Sequence, residues 1–435
     1  MINTRKEVVK LLNKTFSENS YSNILLDSVL SSKEVSADEG RFITALYYGV
    51  LERKITLDHI ISGYSSKKLS KLDDTILNIL RTGIFQLKYM DSVPDNAAVN
   101  ESVKLTKSFR LASASGFVNA VLRNFIRDEM KVKEPDEITK KLSVRYSVNP
   151  DIIKMLISDY GMEKTEIFLN RTLQKTPVFF RMNNTKTDFD ELKANVGKTE
   201  LVKADFPPMC MEAKSGNIIH TKAFKKGLLH IQDIASQTAC FMLGAAENET
   251  VLDICSAPGG KAFTVAEIMN GTGKVLAFDI YSQRVELISE GASRLGLDNI
   301  AARTGDASVH DSKLEGADRV ICDVPCSGIG VMRKKPEIRY KDTAEFESLP
   351  EIQMKILKNA ASYLKKGGVL VYSTCTLNRK ENDEVVDAFL AENPDYEGVS
   401  LPETEGELSN GFKLTLGFGS LDSDGFFIAK IRRKE

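Results

Sequence analysis

The stretch Val251-Leu-Asp-Ile-Cys-Ser-Ala-Pro-Gly-Gly-Lys261 decides the fold. It opens on alternating apolar residues, turns through Pro258, Gly259 and Gly260, and enters a helical pattern over 262–268. Strand, tight loop, helix is the reading. Two successive residues without side-chain bulk let backbone N–H groups approach a ligand, beside a helix N-terminus that favours carboxylate or phosphate. Any α/β protein has Gly-rich turns, so the pair gains its meaning from the acidic residues that end the strands after it.

From residue 227 onward strands and helices alternate. The pattern predicts strands at 251–255, 274–280, 299–304, 319–324 and 369–373, with helices at 283–294 and 350–365. The second helix would carry Ile352, Ile356, Leu357, Ala360 and Leu364 on one face and stop at Gly367-Gly368. Residues 412–416 and 425–431 read as an antiparallel hairpin. Such βα alternation predicts a mostly parallel, doubly wound sheet, whose ligands sit outside the carboxyl ends of the strands.

At that edge four carboxylates gather. Asp253 lies in the first strand, and Asp279 ends the second, about 20 residues beyond the Gly turn, where an acid can hold ribose hydroxyls. Asp306 follows the third strand and Asp323 ends the fourth. The loop is neither G-x-x-x-x-G-K-[ST], which would cradle a triphosphate, nor the dinucleotide pattern G-x-G-x-x-G. A ligand with an ammonium, a ribose and an adenine suits the acids better. The set resembles the class I S-adenosylmethionine methyltransferases. That resemblance places the cofactor on Cys255, Ser256, Ala257, Pro258, Gly259, Gly260 and Lys261, with Asp279 on the ribose, Asp306 at the adenine end, and Arg284 and Asp323 completing the pocket.

Two cysteines then narrow the substrate. Carbon 5 of a pyrimidine is scarcely nucleophilic, and a thiolate adding at carbon 6 makes it enamine-like. Methylation there needs a Cys nucleophile, a group on the ring N3 edge, and a base. Cys326, in Asp323-Val-Pro-Cys-Ser-Gly328, follows the fourth strand, and Cys375, in Tyr372-Ser-Thr-Cys-Thr-Leu377, follows the fifth. Cys240 and Cys322 read as inert packing residues. The pair resembles the Sun-type RNA cytosine-5 methyltransferases. By that resemblance Cys375 is the nucleophile, Cys326 assists proton removal or product release, and Asp323 holds the cytosine edge and contacts the methionine amino group. Val324 stands where the family more often has Ala, a change that leaves the chemistry in place.

Upstream, residues 1 to about 130 read as helix throughout. Ile76, Ile79, Leu80, Ile84 and Leu87 recur at helical spacing, as do Phe117, Val121, Leu122, Phe125 and Ile126. Asp95 or Asn96 is the expected N-cap of the next helix. The runs Asp95-Asn-Ala-Ala-Val-Asn-Glu-Ser-Val-Lys-Leu-Thr106 and Gly116-Phe-Val-Asn-Ala-Val-Leu-Arg-Asn124 resemble the NusB family, a helical RNA- and protein-binding fold. Lys104, Lys107, Arg110 and Arg123 are its local phosphate candidates. Residues 131–225 change to a small α+β pattern, with strands predicted at 177–183 and 218–220 and helices at 151–160 and 188–196. Arg171, Arg181 and Lys186 alternate there with aromatics, a mixture that suits single-stranded nucleic acid and equally suits an ordinary small core.

The expected architecture is therefore a NusB-like all-α bundle (1–140), a small α+β RNA-recognition module (141–225), and a class I, Rossmann-like methyltransferase domain (226–435) with a C-terminal antiparallel hairpin. With 435 residues the chain is long enough for such a division. A formal net charge of −1 means that any RNA-binding surface is local. Six cysteines with no C-x-x-C pairing and only four histidines exclude a zinc site by pattern and suit reduced thiols. The N-terminus carries no apolar signal core and no run of about 18 apolar residues occurs, so a cytoplasmic, non-membrane protein is expected. The whole-chain combination resembles the group of that family acting on bacterial small-subunit (16S) ribosomal RNA, naked or partly assembled. Methylation of another RNA such as transfer RNA, and a non-catalytic NusB-like binding protein, are the alternative readings; the acidic series and both cysteines speak against the second.

Overall fold

Ile76, Ile79, Leu80, Ile84 and Leu87, spaced for one helical face, lie buried in the helix Asp74–Tyr89. The computed structural model describes residues 2–18, 22–32 and 35–435. The chain divides into two units, one made of Met1–Ser158 with Lys334–Asp342, the other of Asp159–Arg333 with Thr343–Glu435.

The first unit is helical. Helix Asp74–Tyr89 is buried from Ile76 to Leu87, which makes it the centre of a bundle with Thr4–Glu18, Ala37–Glu52, Asp95–Ser108 and Ser115–Arg127 around it. Gly49 lets two helices meet: a Cβ there would lie 2.0 Å from the Phe85 ring. Neither Asp95 nor Asn96 is the N-cap expected for the helix Asp95–Ser108. Pro94 holds that position with extended backbone and no capping side chain, and Asp95 sits in the first turn, where its charge favours the helix dipole.

Arg339 corrects the sequence reading more sharply. Arg333, Lys334, Lys335 and Arg339 read as either RNA guides or a solvated loop, and only the two lysines are exposed. Arg339 is completely buried in the first unit, donating to the Tyr146 carbonyl at 3.1 Å, while its own carbonyl accepts from Asn149 N at 2.8 Å. Arg333, in the second unit, is buried as well and pairs with Asp422 at 2.6 Å. Both guanidinium groups are internal ties.

The second unit holds two sheets. Strands β1 (Val178–Met182), β2 (Leu201–Lys203), β3 (Cys210–Ala213) and β4 (Leu229–Ile231) form a small antiparallel sheet in the order β2-β3-β1-β4. Residues Ile218–His220, expected as a strand, form a 3-10 turn instead. Arg181, a candidate RNA contact by sequence, is buried and donates to Glu267 at 2.7 Å; His230 Nδ1 stands 3.3 Å from the other Glu267 oxygen. A buried carboxylate needs such partners, and these tie β1 and β4 to the helix that follows the Gly-Gly loop.

The large sheet contains β5 (Thr250–Asp253), β6 (Lys274–Asp279), β7 (Ile300–Thr304), β8 (Ala317–Asp323), β9 (Leu364–Thr374), β10 (Tyr396–Gly398), β11 (Leu408–Asn410), β12 (Lys413–Leu416) and β13 (Phe426–Arg433). Its order is β11-β12-β13-β9-β8-β5-β6-β7, with β10 also on β13. Strands β5 to β9 pair in parallel and the C-terminal strands antiparallel, the mixed doubly wound sheet that the alternation predicts. Helices Ile234–Leu243, Gly260–Ile268 and Ser282–Leu295 pack on one face, and Leu349–Ser362 and Asp383–Glu392 on the other.

Gly367-Gly368 does not end a helix. The helix stops at Ser362, where the Tyr363 carbonyl accepts from Gly316 N and Ala317 N, both at 2.9 Å, and β9 has already begun at Leu364. Gly367 takes φ +75 at an irregularity of the β8–β9 ladder, a conformation that glycine allows inside a strand.

Candidate active site

The chain runs outward from β5 through β6 to β7, then returns to place β8 on the opposite side of β5. At this switch point the carboxyl ends of neighbouring strands splay their loops apart and leave a crevice. After Asp253 the loop folds back on β6: Ser256 N donates to Phe278 O at 2.7 Å and Gly259 N to Ser256 O at 2.8 Å. Gly259 has φ +106, and a Cβ there would sit 2.4 Å from the Phe263 ring, so both conformation and space demand glycine.

The crevice is a cleft of about 550 Å³ whose lining includes Asp279, Asp306, Asp323, Cys326 and Cys375. Arg284 also faces it, stacked on Tyr281 at 5.0 Å. From the Gly-rich loop, Cys255 and Ala257 line the cleft directly. Asp279 is buried and accepts from Tyr281 N at 3.1 Å. Asp306 accepts from the Ser308 backbone N–H at 2.8 Å and hydroxyl at 2.7 Å, bonds that hold its carboxyl below the ordinary range. Ile352, expected on the buried helix face, is 45% exposed and forms part of the cleft wall.

Lys261 turns out to do something the sequence did not indicate. Its Nζ stands 2.7 Å from Asp323 Oδ2, and Ser373 Oγ donates to Asp323 Oδ1 at 2.7 Å. Burial acts most strongly, to lower the Lys261 ammonium, but Asp323 together with Cys240 and Asp253 outweighs it and holds the group above its usual value. The signal for Ser373 lies in strand pairing, since parallel β8 and β9 place Ser373 opposite Asp323.

Asp253 lies beneath the loop, 1% exposed and with no well-formed hydrogen bond on either oxygen. Burial pushes its carboxyl up to about 7, against the pull of Ser256 and Lys261. A carboxyl near 3.8 in the unfolded chain and near 7 in the folded one takes up a proton on folding between those values. Stability therefore falls as pH rises across that window, by up to about 4 kcal/mol. We expect Asp253→Asn to flatten this slope in urea unfolding at pH 4.5 and 7.5; an unchanged slope would count against a buried neutral Asp253.

The two cysteines meet. Cys326 Sγ and Cys375 Sγ are 3.3 Å apart, both half-buried at the cleft. The contact with Cys375, and then burial, hold the Cys326 thiol well above its ordinary value. Cys240 is fully buried and pushed up to about 12 by burial, and Cys322 is buried too, so neither is a nucleophile. Among the described residues no cluster of three or more His, Cys, Asp or Glu side chains is placed to hold a metal, and no helix is long and apolar enough to cross a membrane.

A doubly wound sheet with an acid-rimmed cleft at its switch point and thiols at the adjoining strand ends defines a methyltransferase fold. Residues 240–432 match the family model for 16S rRNA methyltransferase RsmB/F, and residues 2–127 match the NusB family. The chain is 35% identical to the probable ribosomal RNA small subunit methyltransferase B of Bacillus subtilis (strain 168), over 99% of this chain and 98% of that one. It is 32% identical to the corresponding protein of Synechocystis sp., over the full length of both. The crystal structure of PH0851 shares the fold, with a TM-score of 0.82 at 22% identity, covering 100% of this chain and 99% of that one. The chain belongs to the RsmB/F methyltransferase family and is an RNA methyltransferase.

Proposed function

We propose that the protein methylates carbon 5 of a cytosine in small-subunit ribosomal RNA, using S-adenosylmethionine and a covalent bond from Cys375 to carbon 6. The observation that carries this reading is the 3.3 Å approach of two thiols at the wall of a cleft rimmed by Asp279, Asp306 and Asp323. Transfer to oxygen or nitrogen has no use for a thiol pair. The names of the relatives point to the same substrate class.

The cleft suits the cofactor chemically. Asp279 and Asp306 offer acceptors to ribose and adenine donors, Asp323 offers one to an ammonium, and Ile254 and Ile280 provide apolar walls for a flat ring. When bound, S-adenosylmethionine supplies an electrophilic methyl group carried by a sulfonium. The chain's own task is to make carbon 5 a nucleophile. Cys375 adds as thiolate to carbon 6, and the Lys261–Asp323 pair offers a proton to N3 as negative charge reaches the ring. Once carbon 5 bears the methyl group, the carbon 5 proton leaves to a base, and Cys326, beside the sulfur of the adduct, assists that step and the release of the product. The carbon 6–sulfur bond then breaks, Cys375 leaves as thiolate, and N3 returns its proton.

Lys104 and Lys107 on the helix Asp95–Ser108, Arg110 in the turn after it and Arg123 on the helix Ser115–Arg127, all exposed, offer cations to RNA phosphate from the segment 1–140. The need for two reduced thiols fits the cytoplasm. The test is transfer of tritiated methyl into naked small-subunit ribosomal RNA, into partly assembled particles and into transfer RNA, with nucleoside analysis of the product. 5-Methylcytidine in the ribosomal RNA is expected. A label on nitrogen or ribose oxygen, or on transfer RNA alone, would refute the reading.

A further inference from the structure

Each active-site cysteine is followed by a hydroxyl residue, and the two hydroxyls meet. Ser327 Oγ and Thr376 Oγ1 are 2.7 Å apart, both buried, directly behind the two thiols. Around them lies a polar cluster sealed from solvent, with Glu381 at its centre and completely buried. Glu381 Oε2 accepts from Ser327 N and from Gln353 Nε2, both at 2.9 Å, and its Oε1 accepts from Asn378 Nδ2 at 3.0 Å. Gln353 Nε2 also donates to the Pro325 carbonyl at 3.0 Å, so Gln353 and Glu381 together hold the Cys326 loop on both sides of the cysteine. Next to Glu381, Asn382 Nδ2 donates to the Thr376 carbonyl at 2.9 Å, which secures the Cys375 loop from the same short segment.

A fully buried carboxylate is costly, and among the described residues no cation pairs with Glu381. Neutral donors alone satisfy it, and each of those bonds is charge-assisted and geometrically demanding. Nothing in packing requires an anion here, because an apolar side chain of similar size would fill the volume. What the carboxylate does supply is two oxygens able to hold one backbone N–H and two side-chain amides at once. Those donors come from the Cys326 loop, from the helix Leu349–Ser362 and from the Cys375 loop, so one group fixes three elements relative to one another.

We infer that Glu381 is a positioning residue that sets the distance between Cys326 and Cys375, through Ser327 N and the Ser327–Thr376 hydroxyl pair. The inference rests on the cysteine chemistry proposed above. In that chemistry Cys326 serves release of the product and must stay beside the sulfur of the adduct. Loosening Glu381 thus impairs release more than attack, which leaves RNA bound to Cys375.

The experiment compares full-length Glu381→Leu and Thr376→Val with wild type and Cys326→Ala, using ribosomal RNA and S-adenosylmethionine. Folding is checked by circular dichroism. Both variants are expected to accumulate denaturant-stable RNA adduct, as Cys326→Ala does. Their kcat should fall about 10- to 100-fold while KM for S-adenosylmethionine stays within about twofold, as a misplacement near 1 Å would give. A merely structural role would lower kcat in step with the folded fraction and trap nothing. A folded Glu381→Leu enzyme with wild-type turnover, or with lost turnover and no adduct while Cys326→Ala does trap RNA, overturns the inference. If Glu381→Leu does not fold, Thr376→Val decides by the same readout. No adduct even with Cys326→Ala would overturn the cysteine roles, and this inference with them.

Discussion

Cys375→Ser is expected to lower methyl transfer by about 1000-fold or more, because a serine hydroxyl is almost wholly protonated at neutral pH and adds poorly to carbon 6. Cys326→Ala is expected to behave in the opposite sense, forming the bond to RNA and failing to break it. The two sulfurs are only 3.3 Å apart, so proximity alone does not say which of them attacks. Their surroundings do not separate them either: both are half-buried at the same cleft, and what first holds the Cys326 thiol protonated is its contact with Cys375 itself. The proposed choice of Cys375 as the attacking group therefore stands or falls with the two variants. Denaturing gels of labelled RNA, read beside tritium transfer, separate the roles. Adduct in Cys326→Ala and none in Cys375→Ser supports the assignment; the reverse pattern exchanges the two cysteines.

How much of this was legible beforehand follows from the range of the interactions. The turn at Gly259 is local: its φ and the ring of Phe263, four residues on, both lie within one strand-loop-helix unit, and the sequence displays them together. The acids were legible because strand ends can be counted along the chain. The sequence marks Lys261 only as part of the cofactor loop, since its partner Asp323 is 62 positions away and comes within reach only once β8 lies beside β5. The burial of Arg339 is not legible in the sequence, nor is the choice between the two readings of Arg181, for a related reason. Basic residues are normally solvated, and the carbonyl of Tyr146 and the carboxylate of Glu267 that permit their burial are distant in sequence. The end of the helix Leu349–Ser362 failed differently: Gly367-Gly368 is a sound stop signal, but the hydrogen bonds from Gly316 and Ala317 to Tyr363 start the strand earlier. Glu381 has only Asn378 close to it in sequence, because its other partners, Ser327 and Gln353, are 54 and 28 positions away.

Replacing Asp323 should have the second largest effect. The carboxylate receives the Ser373 hydroxyl on one oxygen and the Lys261 ammonium on the other, so it is fixed in orientation before any RNA arrives. Asp323→Ala removes the group on the cytosine N3 edge and leaves a mostly buried ammonium without its counter-charge. Burial, which alone lowers the Lys261 proton affinity, is then unopposed by Asp323, and the lysine gives up its proton more readily. In the proposed chemistry the cytosine edge then loses its anchor, and Lys261 loses the partner that aims its proton at N3 as the thiolate adds, so the adduct forms slowly. A loss of about 100- to 10000-fold in kcat is expected, the range for removing a positioned acid–base group. Asp323→Asn keeps the shape and the Ser373 contact but not the charge, and should recover little. Single-turnover transfer measured beside calorimetric binding of S-adenosylmethionine separates two origins of the loss. If affinity for the cofactor collapses while the rate at saturation stays near wild type, Asp323 serves the methionine amino group alone. If the saturated rate falls as predicted, the carboxylate works on the cytosine, and Lys261→Met should then lose rate in the same direction without changing which cysteine bonds to RNA.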